Sequence, residues 1–240
     1  MPNPKKLYSG KDPREIPLYT LTEAARHLHL PSATLRTWVA GRAYRLLQGE
    51  ERRSLPLIDR PDSGDERLSF NNLVEAHVLR ALRVEQRVPM GHVRRALDYA
   101  QREFGIDRLL ISEELLAAPG EMFLQEYGRL LSLSRSGQFA MEKILEAFLS
   151  RVARDAEGRP LRLHPFIVPN AYEDRRVVSI DPRIAYGRPY VADRGISTAI
   201  LAERLNAGES IAELAYDYRL DEKDIAEAIL YESFEYRRAA

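Results

Sequence analysis

The chain has 240 residues, 45% of them hydrophobic and 30% charged, which describes a protein with a buried core and room for about two domains. Lysine and arginine number 36 against 36 aspartate and glutamate, so no bulk field draws the molecule toward nucleic acid or membrane, and such a contact must come from a local patch. The absence of cysteine excludes disulfides, thiolate metal sites and a cysteine nucleophile, and no stretch approaches the roughly 20 apolar residues of a membrane span. The opening MPNPKKLYSGKDPREIP sets Lys5 and Lys6 before no apolar run, so it does not read as a secretory leader, and a cytoplasmic location is expected.

Residues 1–17, rich in Pro, Lys and Gly, read as an arm. From Tyr19 the pattern turns helical, with Thr22 as the expected N-cap and Ala24, Ala25 and Leu28 on one face. After the HLP turn, Ser32 is expected to cap a second helix running to about Ala40, with Leu35, Trp38 and Val39 as its apolar face. RRSLPLIDRPDSGDERLSF places short apolar runs on either side of a Pro-Asp-Ser-Gly turn signal and reads as a hairpin. FNNLVEAHVLRALRVEQ is an amphipathic helix with Leu73, Val74, Val78, Leu79 and Leu82 inward. Pro89 breaks it, and MGHVRRALDYAQREFG makes another helix that ends at Gly105. Beyond Gly105, DRLLIS and EMFLQEYGRLLSLS read as strands, the second a hairpin turning at Tyr127-Gly128. GQFAMEKILEAFLSRVAR returns to helix, PLRLHPFIV is extended and NAYEDRR is a linker. The last region starts extended at VVSID, loops through YGRPYVADRG and closes with three helices.

The fold class is therefore mainly α with small β-hairpins (α+β). Its expected parts are an arm at 1–17, a helix-turn-helix followed by a hairpin and further helices at 18–105, an α+β middle region at 106–173 and a three-helix, homeodomain-like region at 174–240. Two stretches have the helix-turn-helix pattern and differ in charge. From Tyr19 to Arg45 one acid, Glu23, faces Arg26, Arg36, Arg42 and Arg45, a sign that suits phosphate. The early positions of the second helix, Ser32, Thr34, Arg36 and Thr37, are those that meet base edges in a helix-turn-helix. ESIAELAYDYRLDEKDIAEAIL carries the opposite sign. Between Glu209 and Glu235 nine acids stand against Arg219 and Lys223, so that surface is expected to meet protein. There Ile211, Leu214, Ala215, Ile225, Ala228 and Ile229 form the core stripe, Ser210 caps the first helix and Asp221 the second.

YTLTEAARHLHLPSATLRTWV, PLIDRPDSGDERLSFNNLVEAHVLRALR and VPMGHVRRALDYA together resemble the DNA-binding domain of the MerR family of regulators. The resemblance implies a winged helix-turn-helix with the 32–40 helix in the major groove and a hairpin near Arg60–Arg67 on the backbone. The expected DNA contacts are then Thr22, Ser32, Thr34, Arg36, Thr37, Arg42, Arg60 and Arg67. The chain departs from that family where Gly105 stops the helix and cysteine is lacking, which disfavours a metal or redox sensor.

Residues 177–231 resemble a small domain found at the C-terminus of many prokaryotic antitoxins. Gly187-Arg188-Pro189, Ile196, Ala207-Gly208-Glu209 and Asp217-Tyr218 carry the likeness, and ADRGIS departs from it. The resemblance as a whole is to VapB-like type II antitoxins. It implies a partner PIN-domain ribonuclease toxin, operator DNA as a second ligand, a homodimer that assembles further with toxin, and repression of the chain's own operon. Tyr231, Phe234, Tyr236, Arg237 and Arg238 are the expected toxin contacts, the arginines entering a carboxylate-lined, metal-binding site. A stand-alone MerR-like regulator with a ligand-sensing middle region is the alternative, and a purely structural interaction protein a further one. No HExxH, phosphate loop or nucleophile elbow occurs, and His27 and His29 fall on different helix faces. Neither catalysis nor a metal or other cofactor is expected.

Overall fold

The first helix, α1 (Leu21–His27), begins at a Thr-x-x-Glu signature. Thr20 Oγ1 accepts the amide of Glu23 and the Glu23 carboxylate accepts the amide of Thr20, a reciprocal capping box. The cap is thus Thr20. Thr22, expected in that role, lies inside the first turn with its side chain exposed. α1 ends in a Schellman turn: His29 N donates to Arg26 O at 3.0 Å and Leu30 N to Ala25 O at 2.8 Å, with His29 at φ 50°. The second helix, α2 (Ser32–Ala40), starts after Pro31, which holds the cap position with no side-chain bond, so Ser32 is the first helical residue rather than the cap.

The structure is a computed structural model and describes residues 10–45, 49–84, 90–106, 108–112, 115, 135–167 and 175–233. These fall into two compact units, one built from Met1–Leu73 with Arg162–Ala240 and the other from Val74–Leu161. The grouping is not sequential: the first and last parts of the chain share a unit.

In the first unit Gly41 turns α2 into an antiparallel hairpin, β1 (Ala43–Arg45) with β2 (Glu51–Arg53). Gly41 sits at φ 71°, and a Cβ there would lie 1.9 Å from the carbonyl oxygen of Ser54, so no other residue fits. The hairpin expected around Pro-Asp-Ser-Gly is displaced to this earlier position. The Pro-Asp-Ser-Gly signal does mark a turn, in which Asp62 Oδ1 accepts Gly64 N at 2.8 Å. The residues beyond that turn pair elsewhere: Leu68 bridges Tyr19, with Leu68 N donating to Tyr19 O at 2.7 Å. Trp38 is fully buried, as its place on the apolar face required.

α3 (Phe70–Val84) and α4 (Met90–Phe104) occupy the expected stretches, and Gly105 leaves α4 at φ 67°. From Phe70 to Leu82 every side chain of α3 is buried, polar Asn71, Asn72, Glu75, His77 and Arg80 included, so the helix is enclosed rather than one-faced. Within the second unit, Arg108 pairs with Glu75 at 2.8 Å, and the His77 ring lies 4.9 Å from Phe148 with Nε2 3.0 Å from its carbonyl oxygen. Leu109–Ile111, expected as strand, is a 3₁₀ turn, since so short an apolar run carries no period. The hairpin expected at Tyr127-Gly128 lies outside the described residues. α5 (Arg135–Leu149) stops short of the expected end, and the following Val-Ala-Arg is strand β3 (Val152–Arg154), which pairs with β4 (Pro160–Leu163).

Beyond residue 175 a three-stranded antiparallel sheet, β5 (Val178–Ser179), β6 (Tyr190–Val191) and β7 (Ile196–Ser197), leads into α6 (Thr198–Asn206), α7 (Ile211–Tyr218) and α8 (Glu222–Ser233). Val177, Val191, Leu201, Leu214, Ile225 and Ala228 form their core, with Ile211, Ala215 and Ile229 packed against it, as the apolar stripe required.

α7 and its turn repeat the design of α1 residue for residue. Ser210 and Glu213 form a capping box, and Arg219 takes φ 53° in the place of His29. Leu220 N donates to Ala215 O at 3.1 Å as Leu30 does to Ala25. The carbonyl of Asp221 then accepts Asp224 N and Ile225 N at the start of α8.

Gly41→Ala should destabilise the protein by roughly 2 kcal/mol or more, because the left-handed backbone and the Ser54 carbonyl both resist a methyl group; thermal melting measures it. Desolvation holds the imidazoles of His27 and His77 down at about 3, so both stay neutral when folded. The unfolded chain, with ordinary imidazoles, binds more protons below about pH 6.5, so this stability is complete above that pH and drains as pH falls toward 3. Urea midpoints should be lower at pH 5.5 than at 7.5, by up to about 1.4 kcal/mol per pH unit per histidine in stability. Equal midpoints would show that neither ring is held neutral.

Candidate nucleic-acid interface

α2 buries Leu35, Trp38 and Val39 and turns Ser32, Ala33 and Arg36 outward, with Thr34 and Thr37 half-buried between. This division follows from the 3.6-residue period, which sets positions 32, 33, 36, 37 and 40 on one side. Arg36 makes no hydrogen bond or ion pair among the described residues, so its guanidinium is available to an incoming acceptor. Thr37 Oγ1 donates to Thr34 O at 2.7 Å, which leaves its lone pairs able to accept a further bond. Because Pro31 offers no capping side chain, the first-turn amides of α2 also lack an internal side-chain partner, as suits phosphate.

The hairpin adjoins this face along the chain. All six residues of β1 and β2 are exposed, and the register sets Ala43 opposite Arg53, Tyr44 opposite Arg52 and Arg45 opposite Glu51. Arg42 holds its place through backbone bonds with Ser54, its amide to Ser54 Oγ at 2.9 Å and its carbonyl from Ser54 N at 3.0 Å. Arg45 is weakly paired with Glu51 at 3.4 Å and Arg52 with Glu50 at 3.6 Å, both in water, where such pairs hold little. A two-stranded ribbon exposed on both faces buries almost nothing of its own.

Arg60 and Arg67 are differently employed. Arg67 is bidentate on the Asp65 carboxylate, with contacts of 2.7 and 3.1 Å, and Arg60 donates to the carbonyl of Asp65 at 3.3 Å. The Asp65 carboxyl is correspondingly lowered, first by its bond to Arg67. These two arginines bond within their own loop, Arg60 to a backbone carbonyl and Arg67, still half exposed, to a carboxylate. Tyr44, Arg45, Arg52 and Arg53, absent from the sequence-based set, carry the hairpin's outward chemistry. The signal for them was the alternation in RAYR and EERR around Gly49, which stands at φ 84°.

The acids of the second helix-turn-helix are largely paired by arginines from the segments before it, so its face is less acidic than its own charges suggest. Arg204 holds Glu209 at 2.7 Å and Asp217 at 2.6 Å, and its guanidinium lies 5.1 Å from the centre of the Tyr218 ring. Arg175 pairs with both Asp224 and Glu227. Glu213 is spent in the capping box, and Glu232 accepts from Thr198 Oγ1 and lies 3.8 Å from Arg26. Asp221 and Glu222 are left exposed at the start of α8, beside Lys223. Arg175 and Arg204 come from outside the helix-turn-helix proper, so counting charges within it overstates its field.

Tyr231, expected on a partner-binding tail, is instead a core residue, 3% exposed. Its hydroxyl donates to the carbonyl oxygen of His27 at 3.2 Å and stands 3.4 Å from His27 Nδ1, and its ring lies 5.3 Å from that of His29. The period of α8 turns position 231 inward with Ile225 and Ala228. Phe234, Tyr236, Arg237 and Arg238 lie outside the described residues. Among the described residues no His, Asp or Glu cluster could hold a metal ion, and no helix is long and apolar enough to cross a membrane.

Comparison with known proteins bears on both halves. Residues 17–97 match the family described as "Putative DNA-binding HTH domain", and residues 178–231 match DUF433, a family of unknown function. The fold is similar to that of the crystal structure of Rv2018 from Mycobacterium tuberculosis, with a TM-score of 0.64 and 24% identity over 89% of this chain and 98% of that one. An uncharacterised protein of the same organism, Rv2308, is 23% identical over 91% of this chain and 90% of its own length. A further M. tuberculosis protein, named "Putative antitoxin VapB45", is 32% identical over 90% of this chain and 93% of its own length. At that identity and coverage, the chain belongs to the VapB45 antitoxin family.

Proposed function

We propose that this protein is the antitoxin of a type II toxin–antitoxin pair. It represses its own operon by binding operator DNA and neutralises a PIN-domain ribonuclease toxin. The observation that carries the DNA half is the outward face of α2, where Ser32, Arg36 and Thr37 stand beside an uncapped helix start and Arg36 is uncommitted. α2 enters the major groove as the recognition helix of a MerR-like winged helix-turn-helix, with Thr34 and Thr22 near the backbone. β1–β2 is the wing, which assigns phosphate contact to Arg42, Arg45, Arg52 and Arg53 rather than to Arg60 and Arg67. One recognition helix covers only a half-site, so a homodimer reads a two-fold operator, and a larger hetero-oligomer forms with toxin.

The antitoxin half rests on the kinship with VapB45 and on the C-terminal region from 174 to 240, whose three helices form a homeodomain-like domain. Phe234, Tyr236, Arg237 and Arg238 follow directly on α8. An arginine pair there can bridge the carboxylates that such a nuclease gathers around its metal, with the aromatics as anchors. Tyr231 contributes by fixing α8, the helix that precedes them in the chain. Residues 18–105 serve as the DNA-reading region, and 106–173 join it to the rest or supply dimer contacts. The protein acts by binding, as a regulator rather than an enzyme.

Gel shift against the upstream operator over a salt series tests the DNA half. Arg36→Ala should weaken specific binding by about 1–3 kcal/mol, and Arg42→Ala and Arg53→Ala should each lower the salt slope by about 1. Arg67→Ala should leave both near wild type. Binding of wild type that is absent, or insensitive to salt, would remove the assignment. For the toxin half, co-expression with the neighbouring reading frame should rescue growth. The rescue should fail when Arg237 and Arg238 are both changed to Glu; survival of rescue would place inhibition elsewhere on the domain.

A further inference from the structure

α1 is held at both ends by the DUF433 region. At its start, Tyr19 packs at 4% exposure and its hydroxyl donates to the carbonyl oxygen of Gly187 at 3.0 Å. At its end, the hydroxyl of Tyr231 donates to the carbonyl oxygen of His27, one of the last carbonyls of α1. A helix leaves its final carbonyls without intrahelical partners. In α1 those of Ala25 and Arg26 are taken by the Schellman turn, and that of His27 is taken by Tyr231. The cap of α1 is therefore completed from the far end of the chain.

The surroundings show that these contacts are built in. Ala185, Tyr186 and Gly187 stand in succession at φ 49°, 54° and 73°, a left-handed run that side chains other than glycine resist. Its result is to aim the Gly187 carbonyl at Tyr19. A Cβ at Gly187 would lie 2.4 Å from the Tyr19 hydroxyl oxygen, which accounts for glycine in the Gly-Arg-Pro segment on two grounds. At the other end, His29 takes its own left-handed φ while buried under the Tyr231 ring, and Glu232 lies 3.8 Å from Arg26 and accepts from Thr198 at the start of α6. The Tyr19 ring also meets the His27 ring edge-on at 5.9 Å, so the two anchors share one neighbour.

We propose that the DUF433 region is a brace for the DNA-reading head: Tyr19 and Tyr231, through Gly187 and His27, fix the pitch of α1 and with it the α1–α2 turn that presents α2. Both tyrosines are positioning residues and touch no DNA. The inference rests on the reading of α2 as the recognition helix. A misplaced recognition helix loses base contacts, which require register, before it loses phosphate contacts, which tolerate small shifts. The signature of a brace is thus a fall in specific affinity at unchanged non-specific affinity.

The test uses the full chain with Tyr19→Phe, Tyr231→Phe and the double variant. Each keeps its ring and loses only the hydroxyl. Operator and random-sequence DNA are titrated at a temperature where circular dichroism shows each variant fully folded. Each single variant should lose specific affinity by roughly 3- to 30-fold while non-specific affinity stays within about 2-fold, and the double variant should be less than additive because both act on one helix. Gly187→Ala, which presses on Tyr19, should give the same pattern. If the folded single variants bind operator as wild type does, or lose specific and non-specific affinity together, the brace is refuted. If wild type itself shows no preference for operator, the failure lies in the DNA reading and not in the brace.

Discussion

The hydroxyl of Tyr231 on the last turn of α1 is the contact around which the first unit is arranged. It joins residues near the two ends of the chain in a buried place where an unpaired helix carbonyl would be costly. Because a second tyrosine, Tyr19, reaches back to Gly187, α1 is located at two points about its own axis and cannot pivot about either alone. Through these two tyrosines the start and the end of α1 are tied to the C-terminal region. His27 beneath these contacts cannot charge without loss, since desolvation keeps it neutral at physiological pH.

The two helix-turn-helix stretches show how one local design serves two uses. Thr20 with Glu23 and Ser210 with Glu213 give the same start, His29 and Arg219 the same left-handed turn, and Leu35 and Ile225 the same buried position in the following helix. They part company on the outer face. α2 offers Arg36 with no partner among the described residues, whereas α7 and α8 draw Arg204 and Arg175 onto their acids. The second stretch is turned inward in charge as well as in packing, which fits a bracing role better than a broadly repulsive acidic surface does.

Local signals in the sequence were legible where the cause was local. The apolar stripes of α2, α7 and α8, the Gly105 stop and the Ser210 cap all follow from short-range periodicity and backbone chemistry. Errors arose where a second partner decided. Thr20 outcompeted Thr22 as the cap because Glu23 lies at the right spacing to reciprocate. For Arg60 and Arg67 the sequence shows the charge but not the bonds each makes to Asp65 within the loop. Tyr231 reads as the first aromatic of a tail, yet its partner is His27, and no pattern within the last helix announces a contact so far back along the chain. The charge of the second motif was misjudged for the same reason: Arg175 and Arg204 enter from neighbouring segments.

Amide hydrogen exchange followed by mass spectrometry tests most directly whether the reading head and the DUF433 region form one cooperative body. Peptides covering residues 19–40 and 211–231 should open with the same free energy, and Gly187→Ala should lower protection in both together. Protection of residues 19–40 that is lost first, and that is indifferent to Gly187→Ala, would show a head that stands by itself and would contradict the account.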